Sequence, residues 1–246
     1  TSIAQLFNIR WRLHRRYDKG PIHVEFGTWF RVALPIFLIE GFSFLLTNSD
    51  TVITGLFLSP SEVGVYYAAS KTIVLVQFVF FSVKAASAPR FSALYAAGDQ
   101  AELGRFAGQT VRWAFWPALI VGFAALLAGK FLLSMFGPGF TSGYYVMVIL
   151  FVGILAKCSV GPGEVLLAMA GEQKLCVKLY AGALTANLIL NVILVPLYGI
   201  EGAAFAAAGA MFVEATLLHV AVRRKLSIIL FAFARPDGGR ALSRDA

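Results

Sequence analysis

Residues 29–57 read WFRVALPIFLIEGFSFLLTNSDTVITGLF. The stretch is apolar and longer than the roughly 20 residues a helix needs to cross a bilayer. Within it, Glu40, Ser43, Thr47, Asp50 or Thr51, and Thr54 recur at intervals of three and four. That spacing puts them on one face of a helix. Phe37, Leu38, Leu45, Val52 and Phe57 fall on the opposite face. A charge in hydrocarbon costs several kcal/mol unless it meets a partner or a water-filled cavity. The stripe therefore predicts a spanning helix with one side toward water, although buried helix–helix hydrogen bonding is the plainer alternative. Pro35, below the stripe, is expected to kink the helix or open a hinge.

The rest of the chain is equally apolar. Hydrophobic residues make up 59% of its 246 positions and charged ones 14%, with a mean hydropathy of +0.76. Soluble domains carry about a quarter charged residues, so an all-α, multi-pass integral membrane protein is expected. Backbone groups in lipid must be satisfied internally, which forces helices. Six spans are predicted, at 29–57, 63–86, 109–129, 142–169, 175–195 and 199–221. Breaks fall at Ser59-Pro60-Ser61, Ala97-Gly98-Asp99, Gly137-Pro138-Gly139, Gly171-Glu172 and Pro196 to Gly199. Residues 99–108 read as a short surface helix. The segment from Leu226 to Phe233 is expected either to lie on the inner leaflet or to fray.

Charge orients the spans. Arg10, Arg12, Arg15, Arg16 and Lys19 crowd the N-terminal arm. Arg90, Arg105 and Arg112 flank the second break, Lys174 and Lys178 the fourth, and Arg223, Arg224, Lys225, Arg235, Arg240 and Arg244 the tail. The alternate loops, 58–62, 130–141 and 196–199, hold only Lys130. Six spans with both ends cytoplasmic fit this alternation. The net charge of +8 then reflects membrane orientation, and no nucleic-acid partner is expected. The predicted organisation is a basic cytoplasmic linker (1–28), a six-helix transmembrane bundle (29–221) and a basic cytoplasmic tail (222–246). A chain that opens with Thr1 in mid-loop is expected to be a fragment of something longer.

Other charges lie inside the spans. Lys71 sits about nine residues into the second, while Lys84, near its cytoplasmic end, is expected to snorkel to the headgroups. Lys157 is near the centre of the fourth span, too deep to snorkel. Glu164 follows seven residues on, across a Gly161-Pro162-Gly163 interruption. A structural Lys157–Glu164 pair competes here with a basic cavity residue that meets an anion. Asn187 and Asn191 share a face at i,i+4 and suit interhelical hydrogen bonds. Gly202, Ala206 and Gly209 make a small-residue seam. Glu214 and His219 read as residues toward the cytoplasmic end of the last span, and Cys158 and Cys176 as packing residues.

The chain has no paired-carboxylate motif, no GxSxG and no Walker loop, and His14, His23 and His219 form no cluster. Neither a catalytic residue nor a metal site is predicted, and no cofactor is expected beyond an open question of coupling to H⁺ or Na⁺.

Several stretches in order carry a resemblance. Asp50 is followed by SEVGVYYAASK (61–71), Pro89 and LYAAGD (94–99), then Phe136-Gly137 with Phe140, AGEQK (170–174), and Asn187-x-x-x-Asn191 before PLYGIEGAA (196–204). The set resembles the C-terminal half of the polysaccharide-biosynthesis flippases, in the superfamily that also holds the MATE exporters and lipid II flippases. The resemblance covers residues 29–221. It implies one half of a MATE-like two-bundle transporter, with an N-terminal six-helix half as partner and alternating access. Its implied substrate is an undecaprenyl-pyrophosphate-linked oligosaccharide of the bacterial inner membrane, for surface polysaccharide or lipopolysaccharide. Lys71 and Lys157 would meet the anionic head, with Arg31 at the inner mouth. Glu40 and Asp50 would partner these cations or bind a coupling ion. The candidate cavity residues are thus Glu40, Ser43, Thr47, Asp50, Lys71, Lys157 and Glu164, with Arg31, Asn187 and Asn191 for substrate or packing. A MATE-like multidrug exporter, a non-transporting subunit of a glycan assembly complex, and an integral-membrane glycosyl- or acyltransferase are the competing readings.

Overall fold

A computed structural model describes residues 25–233; the basic arm and the arginines beyond 233 lie outside them. Among the described residues the regular structure is helical, without strands. The described residues divide into two compact units, with the boundary between Leu34 and Pro35. The helices are α1 (Phe26–Phe57), α2 (Pro60–Ala97), α3 (Gln100–Leu127), α4 (Gly129–Ser134), α5 (Tyr144–Val160), α6 (Gly163–Met169) and α7 (Gln173–Leu226), with a 3₁₀ turn at Phe140–Gly143. Five stretches are long and apolar enough to cross a membrane: Trp29–Phe57, Pro60–Ala97, Gln100–Leu127, Phe140–Met169 and Gln173–Leu226. This is an all-α membrane bundle.

Local chemistry sets the corners. Ser59 caps α2, its backbone N–H and hydroxyl both donating to Glu62 Oε2, at 3.0 and 2.7 Å. Pro60 follows at the first helical position, where its missing N–H leaves no gap. Gly98, at φ 72°, ends α2, and Asp99 caps α3 by accepting from the Glu102 N–H at 2.9 Å. The expected surface helix at 99–108 is not separate. It is the first part of α3, because Leu103, Phe106, Ala107, Thr110 and Val111 carry one buried face straight into the span. α2 likewise runs to Ala97, past the predicted end at 86; Pro89 lies inside it and Phe91 is buried.

The fourth span breaks where predicted. Gly161 takes φ 67°, ψ −164°, which ends α5 before Pro162 and lets α6 leave on a new axis. α7 is 54 residues long but bends at Gly199, with φ 59° and ψ −136°. Its two limbs, 173–198 and 200–226, fold back on each other. A Cβ on Gly202 would collide with the Leu194 backbone, and one on Gly209 would lie 3.0 Å from Leu190 Cδ1. Gly182 likewise faces Leu217. The predicted small-residue seam is the inner face of this hairpin.

The core is the meeting of α2, α3, α5 and α7 around Ile73, Val76, Phe91, Val111, Met147 and Ile154. α1 enters none of these close packings among the described residues. From Pro35 on it stands off from the others, and the gap is where the site lies.

Candidate functional site

Ser43, Thr47, Asp50 and Thr51 of α1 line one wall of a cavity. Tyr66, Ser70, Lys71 and Gln77 of α2, Lys157 of α5, and Asn187 and Glu214 of α7 line the others. The cavity holds about 970 Å³ of empty space, its open mouth included. Phe37, Leu45, Val52 and Phe57, on the opposite face of α1, are exposed on the outside of the bundle. Leu38, assigned to the same face, is half-buried.

Lys157 Nζ lies 2.8 Å from Glu214 Oε1 and 5.5 Å from the centre of the Phe80 ring. Glu214 is nearly sealed in, while Lys157 keeps some exposure toward the cavity. Lys71 Nζ sits 5.1 Å over the Tyr67 ring, and no carboxylate pairs with it among the described residues. A cation beside an aromatic face, without a counter-ion, is free to accept one.

Asp50 anchors α1. Its Oδ1 accepts from Asn187 Nδ2 at 2.8 Å and from Asn191 Nδ2 at 2.7 Å. The Ser49 hydroxyl donates to Asn187 Oδ1 at 2.9 Å. All four residues are buried, so polar side chains pin α1 in addition to the apolar contacts of Ile39, Phe42 and Leu46.

A second cavity lies nearer the start of the described part of α1, lined by Ile36, Ile39 and Glu40, by Lys84 of α2, by Glu164 of α6 and by Gln173. Lys84 Nζ makes a close ion pair with Glu164 and lies 3.6 Å from Glu40 Oε1. Two expectations change here. Lys84 does not snorkel: it is mostly buried, between two carboxylates. Glu164 does not pair with Lys157, because the break at Gly161-Pro162 interrupts the helical periodicity that would put position i+7 on the same face. Lys157 takes Glu214 instead.

The structure thus brings Ser43, Thr47, Asp50, Lys71, Lys157 and Asn187 to one cavity, and Glu40 and Glu164 to another. Asn191 supports Asp50 from behind the lining, and Thr54 is fully buried, its hydroxyl donating to the Thr51 carbonyl. Arg31 is exposed on α1 within the first unit. Sequence reading missed the roles of Glu214, Gln77, Tyr66 and Lys84. One signal was available for Glu214: it extends the small-residue face of Ala207 and Ala210 by four residues, and a charge on a packing seam needs a partner.

These features define a polytopic all-α membrane protein with a charged internal cavity. A family model described as "Polysaccharide biosynthesis protein" matches residues 2–95. The chain is similar to the "Probable low-salt glycan biosynthesis flippase Agl15" of Haloferax volcanii, at 28% identity over 189 residues, covering 76% of this chain and 39% of the relative. It is also similar to the "Probable flippase AglR" of the same organism, at 27% over 160 residues, covering 64% of this chain and 34% of the relative. The family match and the two relatives show a likeness to polysaccharide-biosynthesis and flippase proteins. The chain spans under two fifths of the length of these relatives over the matched region.

Proposed function

We propose that this chain forms the C-terminal six-helix half of a flippase for a lipid-linked oligosaccharide. The observation that carries the reading is the central cavity, in which no carboxylate pairs with Lys71 among the described residues and Lys157 is paired with Glu214. A polyprenyl-pyrophosphate head is anionic, and these ammonium groups would bind it while the tail stays in lipid. The finer reading follows the resemblance: an undecaprenyl-pyrophosphate carrier, the bacterial inner membrane, both ends of the chain cytoplasmic, and alternating access against an N-terminal bundle. The Gly199 hairpin supports six crossings, since each limb of α7 exceeds the roughly 20 residues that a span needs.

A MATE-like exporter of cationic drugs would need free acids in the cavity. Asp50 is occupied by two amides and Glu214 by Lys157, which favours the anionic substrate.

The test uses the full-length gene in its own host, with the native copy deleted. Lys71→Gln is expected to lower surface-glycan display by about tenfold, the factor for one lost charge contact of about 1.4 kcal/mol. Lys71→Arg is expected to retain most of it. Display at the wild-type level in Lys71→Gln, at equal protein level, rejects the reading.

A further inference from the structure

The residues after α7 are not helical. Ser227, at φ 56°, turns the chain, and its N–H donates to the Arg223 carbonyl at 3.1 Å. Beyond it the side chains alternate. Ile228, Leu230 and Ala232 are buried, whereas Ile229, Phe231 and Phe233 are exposed. A period of two is that of extended backbone. The segment that was expected to lie on lipid or to fray is instead docked on the protein.

Its docking answers a specific deficit. In an unbroken helix the Ser159 carbonyl would accept from the N–H of residue 163. At this break, the Gly163 N–H turns to the Gly161 carbonyl at 2.8 Å, and Pro162 has no N–H to give. The half-buried Ser159 is left with a carbonyl that has no helical donor, a state that folded proteins avoid. The Ala232 N–H fills the gap at 3.0 Å. Two further ties flank it. His219 Nδ1 lies 2.7 Å from the Leu230 carbonyl oxygen, and the Phe233 ring sits 5.4 Å from that of Phe115. Leu230 also presses on Gly163, where a Cβ would lie 2.9 Å from its Cδ1.

We propose that Ser227–Phe233 is a detachable clasp. Docked, it completes the broken span and holds the short helix α6 in the register that pairs Glu164 with Lys84. Released, it frees α6 and opens the second cavity, which α6 lines through Glu164 and Met169, to water. No sheet ladder holds the segment: one backbone hydrogen bond to the break, one His contact, the Phe233–Phe115 ring contact and the buried Ile228, Leu230 and Ala232 side chains do, so it detaches without unfolding any helix. α6 has only seven residues, too few to hold its own position without neighbours.

Cys176 is a built-in reporter. It is buried, and its thiol donates to the Glu164 carbonyl at 3.7 Å. The experiment follows N-ethylmaleimide labelling of Cys176 in detergent-solubilised full chain carrying Cys158→Ala. Ala232→Pro removes the N–H that caps Ser159 and adds a ring at a buried position. It is expected to speed labelling, and hydrogen exchange across 163–169, by about tenfold, the loss of one hydrogen bond. Ile229→Asp, on the exposed side, is expected to change neither. Should Ala232→Pro fail to fold, Leu230→Ala is read in the same way. Wild-type labelling in the folded clasp variant, or equal acceleration by Ile229→Asp, overturns the proposal.

Discussion

At the scale of single residues, the buried charges sort by partner rather than by depth. Lys157 and Glu214 form a pair with little solvent around it. Such a pair contributes little net stability when whole and is costly when halved. Lys157→Met alone is therefore expected to destabilise the chain by about 3–5 kcal/mol, because it strands Glu214. Adding Glu214→Leu is expected to restore most of that loss, which thermal melting in detergent would show. If the double variant melts no higher than the single one, the pair is not a closed unit. Depth and charge made Lys157 conspicuous in the sequence, as did the three-and-four spacing of Ser43, Thr47 and Asp50. Its partner was not legible, since Glu164 and Glu214 compete for it and only the path of the chain after Pro162 decides between them. Lys84 was misjudged for the same reason. A lysine near a span end snorkels by default, and only the arrival of Glu40 and Glu164 from two other helices changes that.

At the scale of elements, the breaks were the most readable part. Ser59-Pro60, Gly98-Asp99, Gly161-Pro162, Gly171 and Gly199 all mark ends or bends. Gly98, Gly161, Gly171 and Gly199 take positive φ, and Ser59, Asp99 and Pro162 cap a helix or cannot continue one. The continuity of α3 was not read, because polar residues at 99–102 and two glycines looked like a boundary. Burial of Leu103 and Phe106 overrides them. The hairpin in α7 gives a contrast between two glycines. Gly199→Ala has open space but must keep φ 59° and ψ −136°, backbone that side chains rarely adopt, so strain of about 1–3 kcal/mol is expected. Gly202→Ala must push the Leu194 backbone away, and a loss of about 3 kcal/mol is expected, at the upper end for overpacking. Melting temperatures of the two variants check the order. A Gly202→Ala variant that melts with the wild type shows that the limbs do not touch at this seam.

At the scale of the whole molecule, two cavities sit at different levels along α1, one around Thr47 and Lys71 and the other around Glu40 and Met169. Alternating access predicts that they are wetted in turn. In membranes, Thr47→Cys is expected to react with an impermeant thiol reagent added outside, and Met169→Cys with the same reagent added inside. Leu45→Cys, on the outer face of α1, is expected to stay inert. Any condition that raises reaction at one cavity should lower it at the other. Labelling that rises and falls together at both contradicts the mechanism while leaving the cavities in place.

The corner between α1 and α2 carries a mechanical consequence. The hydrogen bonds at that turn are internal to it: Ser59 with Glu62, Leu58 N–H to the Thr54 carbonyl, and Val63 N–H to the Ser59 carbonyl. Tilting α1 about the corner breaks none of them. At about 1.5 Å per residue, Asp50 lies about 13 Å from this fulcrum and Glu40 about 28 Å. A tilt of about 5° then moves Asp50 by about 1 Å and Glu40 by about 2.5 Å. Asp50 and its two amides act on the short arm of a lever, and Glu40 rides the long one. A small slackening at the amides becomes a full disengagement of Glu40 from Lys84.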